Sequence, residues 1–138
     1  MSLFTVSLAH LTKEFKLEML YRSSDFEKIQ ITVEDVNRPA LQLSGFFEHF
    51  EPARMQVIGM VEDTYLAGLT PEQRVVTFDR LFSYRPPALI YARHLEPYDE
   101  CMVMARKYNI TILRTNETTS ELVSTMIATL KHYLAPRL

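Results

Sequence analysis

The sequence is poor in glycine, and this scarcity excludes the commonest phosphate-binding loops. Its only glycines are Gly45, Gly59 and Gly68. They are too widely spaced for G-x-G-x-x-G or for G-x-x-x-x-G-K-[ST], patterns in which glycine lets the backbone approach phosphate groups. We therefore expect no nucleotide cofactor to be held by a loop of either kind within these 138 residues.

Thiols and clustered metal ligands are also scarce. Cys101 is the only cysteine, so the chain can form neither an internal disulfide nor a cysteine-based zinc site. The four histidines are scattered, and neither H-E-x-x-H nor G-x-S-x-G occurs. These absences argue against a zinc or serine hydrolase, and no residue is predicted to be catalytic or to bind a metal. We expect Cys101 to be a small, buried, apolar side chain.

Charge and hydropathy exclude two further classes of partner. Lysine and arginine number 15 against 17 aspartates and glutamates, for a formal net charge of −2, whereas nucleic-acid-binding proteins cluster positive charge on one face. No apolar run approaches the ~20 residues that span a bilayer, and the first residues lack the basic and apolar regions of a signal peptide. We predict a cytoplasmic protein that binds neither nucleic acid nor membrane.

The residues that are present have the composition of a globular domain. Hydrophobic residues make up 47% of the chain and charged residues 23%, and a chain of this length buries roughly two thirds of the surface that it exposes when unfolded. Internal repeats and low-complexity segments are absent. We predict one domain over residues 1–138.

A regular pattern begins near residue 55 and predicts the element order β, α, α, β, α, β, α. Thr70-Pro71-Glu72-Gln73 predicts a helix start, with Thr70 as N-cap and Gln73 completing a capping box. Another helix is predicted from Glu96-Pro97 through Tyr108. The strands near residues 55, 88 and 110 are almost wholly apolar, which is typical of parallel strands covered on both faces. The predicted fold class is α/β, with three α/β/α layers and a mainly parallel sheet.

The first half is less regular. Ser7 is the predicted N-cap of a short amphipathic helix that ends near Phe15. Strands are predicted over residues 17–21 and 28–33. Asn37-Arg38-Pro39 ends the second pattern, because the residue before a proline avoids helical backbone angles.

One polar segment is a candidate anion site. It joins an arginine to hydroxyl side chains at the start of the last predicted helix, where free backbone N–H groups favour negative ligands. In open α/β sheets, such loops follow the carboxyl ends of strands, where ligands bind. Helix capping explains the same hydroxyls without a ligand. The candidate residues are Arg114, Thr115, Thr118, Thr119 and Ser120.

An aromatic cluster follows Gly45 and has two interpretations. Phe46, Phe47, His49 and Phe50 favour packing in the core or against another domain, because small domains fill their centres with aromatic side chains. If they are exposed, they mark a partner surface.

Several ordered segments resemble the N-terminal domain of bacterial HPr kinase/phosphorylases. The most specific one is Asn-Arg-Pro-Ala-Leu-Gln-Leu-Ser-Gly-Phe-Phe-Glu-His-Phe over residues 37–50, followed by Arg-Met-Gln-Val-Ile-Gly over residues 54–59. Further matches lie over residues 87–97, 109–115 and 119–120, and the last is Tyr-Leu-Ala-Pro-Arg over residues 133–137. Ala40 and His94 depart from the family, in which glycine is more frequent at these positions.

The resemblance implies a fold similar to the N-terminal, uridine-nucleotide-binding domain of Mur ligases. It implies that a downstream P-loop domain uses ATP and Mg²⁺ to phosphorylate a serine of HPr, and also reverses this step. HPr is the phosphocarrier of the sugar phosphotransferase system, so the expected role is signal transduction in carbon catabolite repression. Known members are hexamers, and we expect a homo-oligomer here. HPr and the downstream kinase domain are the expected partners.

No catalytic residue of the family can be carried over onto this chain. The resemblance leaves a structural or sensory role for Asn37, Arg38 and Pro39, with Gly45 and Gly59 in tight turns. The leading hypothesis is thus a regulatory or assembly domain. The alternative is a free-standing module that binds a nucleotide or a phosphorylated metabolite. A self-contained enzyme has no supporting residues.

Overall fold

A computed structural model describes residues 4–136 of the chain. Arg137, which ends the last segment of the family resemblance, lies outside the described residues. A 3-10 helix (Phe26–Lys28) precedes β3. The strands and α-helices, in chain order, are β1 (Val6–Ser7), α1 (Leu8–Glu14), β2 (Glu18–Tyr21), β3 (Gln30–Ile31), β4 (Val36–Asn37), α2 (Ala40–Leu43), β5 (Met55–Ile58), α3 (Met60–Ala67), α4 (Pro71–Ser83), β6 (Ala88–Tyr91), α5 (Asp99–Tyr108), β7 (Thr111–Arg114) and α6 (Thr119–Leu134).

Five strands form one sheet in the order β2-β7-β6-β5-β4. The neighbours from β4 to β7 are parallel, whereas β2 is antiparallel to β7, with an irregular register between Met19 and Tyr21. Strands β1 and β3 pair with each other in a separate antiparallel sheet. The predicted α/β class with a mainly parallel sheet is confirmed. The sheet is mixed because β2, from the first half of the chain, adds to the free edge of β7.

Helices cover both faces of this sheet, because consecutive side chains of a strand point to opposite sides. Val57 and Ile90 belong to a hydrophobic core shared with α1 and α6. Ile58 and Leu89 belong to a second core, shared with α3, α4 and α5. Every residue of β5, β6 and β7 is buried, which explains why the sequence near residues 55, 88 and 110 is almost wholly apolar.

The predicted start of α4 is confirmed in detail. The Thr70 hydroxyl accepts a hydrogen bond from the Gln73 backbone N–H at 3.1 Å, and the Gln73 side chain accepts one from the Thr70 N–H at 2.9 Å. Pro71 stands at the first helical position, where no N–H is needed. The local sequence therefore dictates this boundary.

The predicted start of α5 is wrong by three residues. The helix begins at Asp99, with Tyr98 as an N-cap of extended backbone (φ −66°, ψ 150°). Glu96 and Pro97 precede it as an irregular segment. Proline is compatible with a first helical turn and with an extended loop alike, so its presence alone did not fix the boundary.

The first half contains both confirmed and missed elements. Ser7 caps α1 as predicted, accepting from the His10 N–H at 3.0 Å, and β2 lies within residues 17–21. The segment 28–33 holds only the two residues of β3. Strand β4 and helix α2 were not predicted, because elements of two and four residues are too short to show a periodicity.

The aromatic cluster is divided between the two interpretations. Phe47 stacks on Tyr84 with ring centroids 4.7 Å apart, and Phe50 meets Tyr84 edge to face at 5.4 Å. Both phenylalanines are partly buried against the second core. Phe46 and His49 are exposed, so the expectation of core packing is wrong for these two residues.

Cys101 is fully buried, as predicted. Its Sγ accepts a hydrogen bond from the Tyr91 hydroxyl at 3.2 Å, and burial raises the pKa of the thiol to about 12. Within residues 4–136, none of the helices combines the length and the apolar character that crossing a bilayer requires.

Candidate functional site

The predicted residues Asn37, Arg38 and Gly59 meet at the carboxyl edge of the sheet. Asn37 ends β4 and pairs with Gln56 of the parallel neighbour β5. Gly59 follows β5 directly and is the N-cap of α3. Parallel strands end at the same edge, so two segments about 20 residues apart in sequence come together there.

Asn37 joins β4 to its surroundings through a network of amides. Its Nδ2 donates to Gln56 Oε1 at 2.7 Å and to Gln42 Oε1 at 2.9 Å. Gln56 in turn donates to the Arg54 carbonyl at 2.8 Å, and both glutamines are buried. A buried and satisfied network of this kind fixes the local geometry. It positions α2 and the preceding Pro39, which is itself buried.

Arg38 is held by a buried carboxylate. Glu62 Oε1 accepts from Arg38 Nη2 at 2.7 Å and from the Gly59 backbone N–H at 2.8 Å. The side chain of Glu62 is 1% exposed and that of Arg38 is 38% exposed. Glu62 thus forms one half of a capping box at the start of α3 and neutralises Arg38 at the same time.

Gly59 is required by lack of space. Its backbone is extended (φ −120°, ψ −164°), so the tight turn predicted at Gly59 is wrong, and other residues could adopt this conformation. A Cβ at this position, however, would lie 2.5 Å from Thr119 Oγ1 and 2.8 Å from Arg38 Nη2. The N-termini of α3 and α6 therefore converge on Gly59. We call Arg38, Gly59, Glu62 and Thr119 the Gly59 junction.

Thr119 contributes a hydroxyl that is unusual because its hydrogen-bonding capacity is unused. Residue Thr119 is 6% exposed, and its Oγ1 is buried without a hydrogen-bond partner among the described residues. Most buried hydroxyls have a partner. Thr119 was predicted as part of an anion site, and the structure places it against Gly59 and Arg38.

Gly45 lies apart from this junction. It follows α2 with φ at +102°, a left-handed conformation that favours glycine. A Cβ there would be 3.1 Å from Arg80 Nη1 of α4. The predicted tight turn is thus present, and it faces α4.

Arg114 of the predicted anion site is engaged by two carboxylates of the protein. Arg114 Nε donates to Glu18 Oε1 at 2.9 Å, and Nη1 donates to Glu96 Oε2 at 2.9 Å. The hydrogen bond to Glu18 raises the pKa of Arg114 and lowers that of Glu18. Two carboxylates therefore already balance the charge of this arginine.

The hydroxyls of the same segment shape the backbone. Thr118 is the N-cap of α6 and accepts from the Glu121 N–H at 3.2 Å. Thr115 Oγ1 accepts from the Glu117 N–H, also at 3.2 Å. Ser120 is exposed on the first turn of the helix. The capping interpretation thus accounts for Thr118, and a hydrogen bond within the loop accounts for Thr115.

The crevice that such a fold offers to ligands lies between β6 and β7. The helices that follow these strands, α5 and α6, pack on opposite faces of the sheet, and ligands bind at such points in open α/β sheets. Here the loop after β6 is joined to the loop after β7 by two hydrogen bonds of 2.8 Å. They run from the Arg93 N–H to the Glu117 carbonyl and from the His94 N–H to the Thr115 carbonyl. The backbone thus closes the crevice.

Sequence reasoning missed Glu62, Gln42 and Gln56. A signal for Glu62 was available, because a glycine after a buried strand followed three residues later by glutamate is half of a capping-box pattern. The glutamines gave no signal, since polar residues in short elements are usually exposed. Among residues 4–136, no group of three or more histidine, cysteine, aspartate or glutamate side chains could hold a metal ion.

Known proteins similar to this chain share one description. A family model described as "HPr Serine kinase N terminus" matches residues 6–130. The HPr kinase/phosphorylase of Caldicellulosiruptor bescii is 39% identical over 136 residues, which cover 99% of this chain and 44% of that protein. That of Lachnoclostridium phytofermentans is 37% identical over 136 residues, with the same two shares. The chain therefore spans less than half the length of the curated relatives it matches.

The fold is similar to that of a solved structure. It contains the CBS and DRTGG domains of the regulatory region of Clostridium perfringens pyrophosphatase, in complex with the activator diadenosine tetraphosphate. The TM-score is 0.62 at 16% identity, and the match covers 94% of this chain and 50% of that chain. At this identity the likeness concerns the fold alone.

Proposed function

The chain belongs to the family of HPr serine kinase N-terminal domains, and from this membership we propose that it is the regulatory and assembly domain of an HPr kinase/phosphorylase. The observation that carries the proposal is the extent of the match. The relatives align over nearly the whole chain, yet this region makes up only 44% of their length. More than half of each relative is therefore available for a separate catalytic domain.

We place the chemistry in that second domain. Phosphoryl transfer needs a backbone cradle, a lysine and metal-bound charge together, and no G-x-x-x-x-G-K-[ST] loop occurs here. The proposed whole protein uses ATP and Mg²⁺ to phosphorylate a serine of HPr and reverses the reaction. Its proposed setting is the cytoplasm, as a homo-oligomer, hexameric as in the family, that controls carbon catabolite repression through the phosphotransferase system. The likeness to the Mur ligase N-terminal domain remains a prediction.

The Gly59 junction supports a regulatory role for the region around Asn37, Arg38 and Pro39. Arg38 is the partly exposed member of the junction and is hydrogen-bonded to Glu62 of α3. It lies beside Gly59, where Thr119 at the start of α6 also lies, and α3 and α6 pack on opposite faces of the sheet. A partner that contacts the Arg38 guanidinium would therefore affect the helices on both faces of the sheet. Such a placement is suited to passing a signal between this domain and a neighbouring one.

Full-length protein tests the proposal. The reading frame after the codon for Leu138 is expected to encode a P-loop within a second domain. In the full-length protein, Arg38→Ala is expected to change the ratio of HPr phosphorylation to dephosphorylation by several-fold, with the catalytic domain still folded.

The matched control for this experiment is Arg106→Ala. Arg106 is exposed on α5 and lies outside the junction. A regulatory role is contradicted if removal of residues 1–138 leaves both reactions, and their response to metabolites, unchanged.

A small-ligand-binding module is the second candidate function. One observation favours it, namely the buried, unpartnered hydroxyl of Thr119 at the start of α6. The engagement of Arg114 by two carboxylates counts against it. Calorimetric titration with inorganic phosphate and with diadenosine tetraphosphate tests this candidate. Saturable binding that is lost in folded Arg114→Ala would support it, and no heat at millimolar ligand would reject it.

A further inference from the structure

The Gly59 junction brings the N-termini of two helices together. Gly59 is the N-cap of α3, and Thr119, the first residue of α6, lies against it. A helix N-terminus carries roughly half a positive charge, and its first N–H groups have no acceptor within the helix. Two such ends at one place favour a negative ligand more than either does alone.

Most of the N–H groups at these two helix starts have no acceptor in the protein. One side-chain oxygen near each start accepts from a single N–H, in Glu62 and in Thr118. The N–H groups of the first two residues of each helix donate to no described residue, and these residues are Met60, Val61, Thr119 and Ser120. Both helix starts therefore retain donors that a ligand can use.

The hydroxyl of Thr119 points to a ligand at the same place. Thr119 is 6% exposed, and its Oγ1 has no hydrogen-bond partner among the described residues. Arg54 Nε is also buried without a partner, but the Nη atoms of its guanidinium pair with Asp35 and Glu51. In Thr119 the whole polar group is unused. Burial of an unused hydroxyl costs stability, and a ligand that accepts from this hydroxyl removes the cost.

Arg38 supplies a positive side chain with donors to spare. Its Nε and Nη2 both donate to one oxygen of Glu62, at 3.3 and 2.7 Å, and Nη1 donates to no described residue. A guanidinium has five N–H donors, so Nη1 is available to a second acceptor. Arg38 Nη2 and Thr119 Oγ1 lie 2.8 and 2.5 Å from one point, the position of a Cβ on Gly59. A single small anion can therefore contact both side chains.

The charges around the junction set a modest affinity for an anion. Glu62 balances the charge of Arg38, so the two helix N-termini supply the remaining positive charge. Asp63 and Glu121, in the first turns of α3 and α6, oppose an anion. We expect a dissociation constant in the submillimolar to millimolar range.

We propose that the Gly59 junction binds a phosphate group, free or on a small organic molecule, between the Arg38 guanidinium, the Thr119 hydroxyl and the first N–H groups of α3 and α6. The oxygens of a tetrahedral oxyanion accept from several directions at once, which matches donors on two helices and a guanidinium. Because the hydroxyl is buried before binding, the partly exposed Arg38 side chain moves toward solvent as the anion enters. The inference rests on the second candidate function, moves its site from Arg114 to Arg38, and does not depend on the proposed kinase context.

Titration of the 138-residue chain with inorganic phosphate, followed in amide NMR spectra, tests the site. Saturable shifts are expected for the amides of Thr119, Ser120 and Met60. Thr119→Val removes the hydroxyl and keeps the side-chain shape, and we expect it to raise the dissociation constant at least about fivefold. The same variant should be as stable as wild type or more so, because the lost hydroxyl has no partner in the free chain. An unchanged dissociation constant in Thr119→Val would overturn the proposal.

Thr125→Val is the matched control for this substitution. Thr125 is exposed further along α6, and its hydroxyl donates to the Glu121 carbonyl at 2.8 Å. Its dissociation constant for inorganic phosphate is expected to match that of wild type. Equal weakening in Thr125→Val and Thr119→Val would mean that α6 as a whole, and not the Thr119 hydroxyl, governs binding, and would overturn the proposal.

Arginine variants locate the anion. Arg38→Lys keeps the positive charge but has no Nη1, and we expect it to weaken phosphate binding at least about fivefold. Arg114→Ala is expected to retain binding, because two carboxylates already engage Arg114. Binding that is lost in folded Arg114→Ala, and kept in Arg38→Lys and Thr119→Val, would leave the second candidate function standing and overturn the junction site. The absence of saturable shifts in wild type would overturn both.

AMP, a phosphate monoester, distinguishes the two sources of the phosphate group. Met60 and Val61, the first residues of α3, are 50% and 64% exposed and offer an apolar surface beside the site to an organic group. Tighter binding of AMP than of inorganic phosphate would support the site and identify an organic phosphate as its ligand. Equal binding would support the site and identify free phosphate. Adenosine that binds as tightly as AMP would overturn the proposal, because the phosphate group would then contribute nothing.

Discussion

Two arginines at the carboxyl edge of the sheet are paired with carboxylates in opposite ways. In the Gly59 junction the carboxylate is the buried member, since Glu62 is 1% exposed and Arg38 is 38% exposed. At β7 the guanidinium is the buried member, since Arg114 is 10% exposed whereas Glu18 and Glu96 are 50% and 85% exposed. A charge excluded from water needs its partner far more than a hydrated one does. The two sites therefore differ in which residue can be replaced with little loss of stability.

The two arginines also connect different parts of the fold. Arg38 joins the end of β4 to the start of α3. Arg114 joins β7 to the antiparallel edge strand β2, through Glu18, and to the segment before α5, through Glu96. The first pair lies where helix layers converge, and the second anchors an edge strand and a loop. Disruption of the first pair should lower the stability of the whole domain. Disruption of the second pair should mainly loosen the edge strand β2 and the segment before α5.

The largest effect is expected from filling the space inside the Gly59 junction. Gly59→Ala places a Cβ 2.5 Å from Thr119 Oγ1, and overpacking of this kind costs about 1–3 kcal/mol. Thr119→Ala should recover most of the loss, because it removes the clashing hydroxyl, which has no partner. Chemical denaturation of the single and double variants measures this.

Gly68→Ala is the control for that substitution. A Cβ at Gly68 would meet its nearest atom, the Tyr65 carbonyl oxygen, at 3.5 Å, an ordinary contact distance. Its free energy of unfolding should stay close to that of wild type. Equal losses in Gly59→Ala and Gly68→Ala would contradict the steric account of the junction.

The next effect tests the buried carboxylate directly. Arg38→Ala leaves Glu62 buried, with the Gly59 N–H as its only donor among the described residues, and we expect a loss of about 2 kcal/mol, since a buried charged group is left undersatisfied. Glu62→Gln in the same chain should recover part of it, because a neutral amide is cheaper to bury. A double-mutant cycle by urea denaturation gives the coupling energy. Additive losses in this cycle would mean that the pair is not coupled.

Sequence predicts the parts of this comparison that are local. The buried strands β5 to β7 are predicted from their almost wholly apolar sequences. The starts of α4 and α6 are predicted from the capping side chains of Thr70 and Thr118. Arg38 and Glu62 are 24 residues apart, and Arg114 and Glu18 are 96 apart. No spacing rule relates residues so distant in sequence, so neither pair could be predicted.

His94 shows how a departure from a family pattern acquires a physical meaning. Glycine was expected more often at this position, and the structure gives His94 a φ of +55°, directly after Arg93 at +56°. Left-handed backbone of this kind favours glycine. The conformation is held by the hydrogen bond from the His94 N–H to the Thr115 carbonyl. The sequence alone indicated the departure, and only the backbone explains it.

A smaller, pH-dependent effect is expected at the exposed pair. Arg114→Met leaves Glu18 and Glu96 in water, so the loss should be roughly half of that for Arg38→Ala. The hydrogen bond from Arg114 lowers the pKa of Glu18 in the folded state. Its stabilisation is therefore present above the ordinary pKa of glutamate and is lost as the pH falls through the lowered value.

The difference in unfolding free energy between wild type and Arg114→Met should thus shrink in acid. Urea denaturation at neutral pH and at about pH 3 measures this, since the ordinary pKa of a glutamate is about 4.3. A difference that grows in acid would mean that Glu18 is not the partner that matters.

The smallest effect is expected from replacing Glu96, and it tests whether a short distance alone makes an ion pair stabilising. Its carboxylate lies 2.9 Å from Arg114 Nη1, as close as that of Glu18 lies to Nε, yet its side chain is 85% exposed. Glu96→Ala should change the free energy of unfolding by less than about 0.5 kcal/mol, because exposed ion pairs exchange one hydrated state for another. Arg114 keeps Glu18 and the Leu95 carbonyl as acceptors in this variant. Thermal and urea denaturation of Glu96→Ala and of Glu62→Ala measure the two free energies of unfolding. A larger loss of stability in Glu96→Ala would show that distance, and not burial, determines how much these ion pairs contribute.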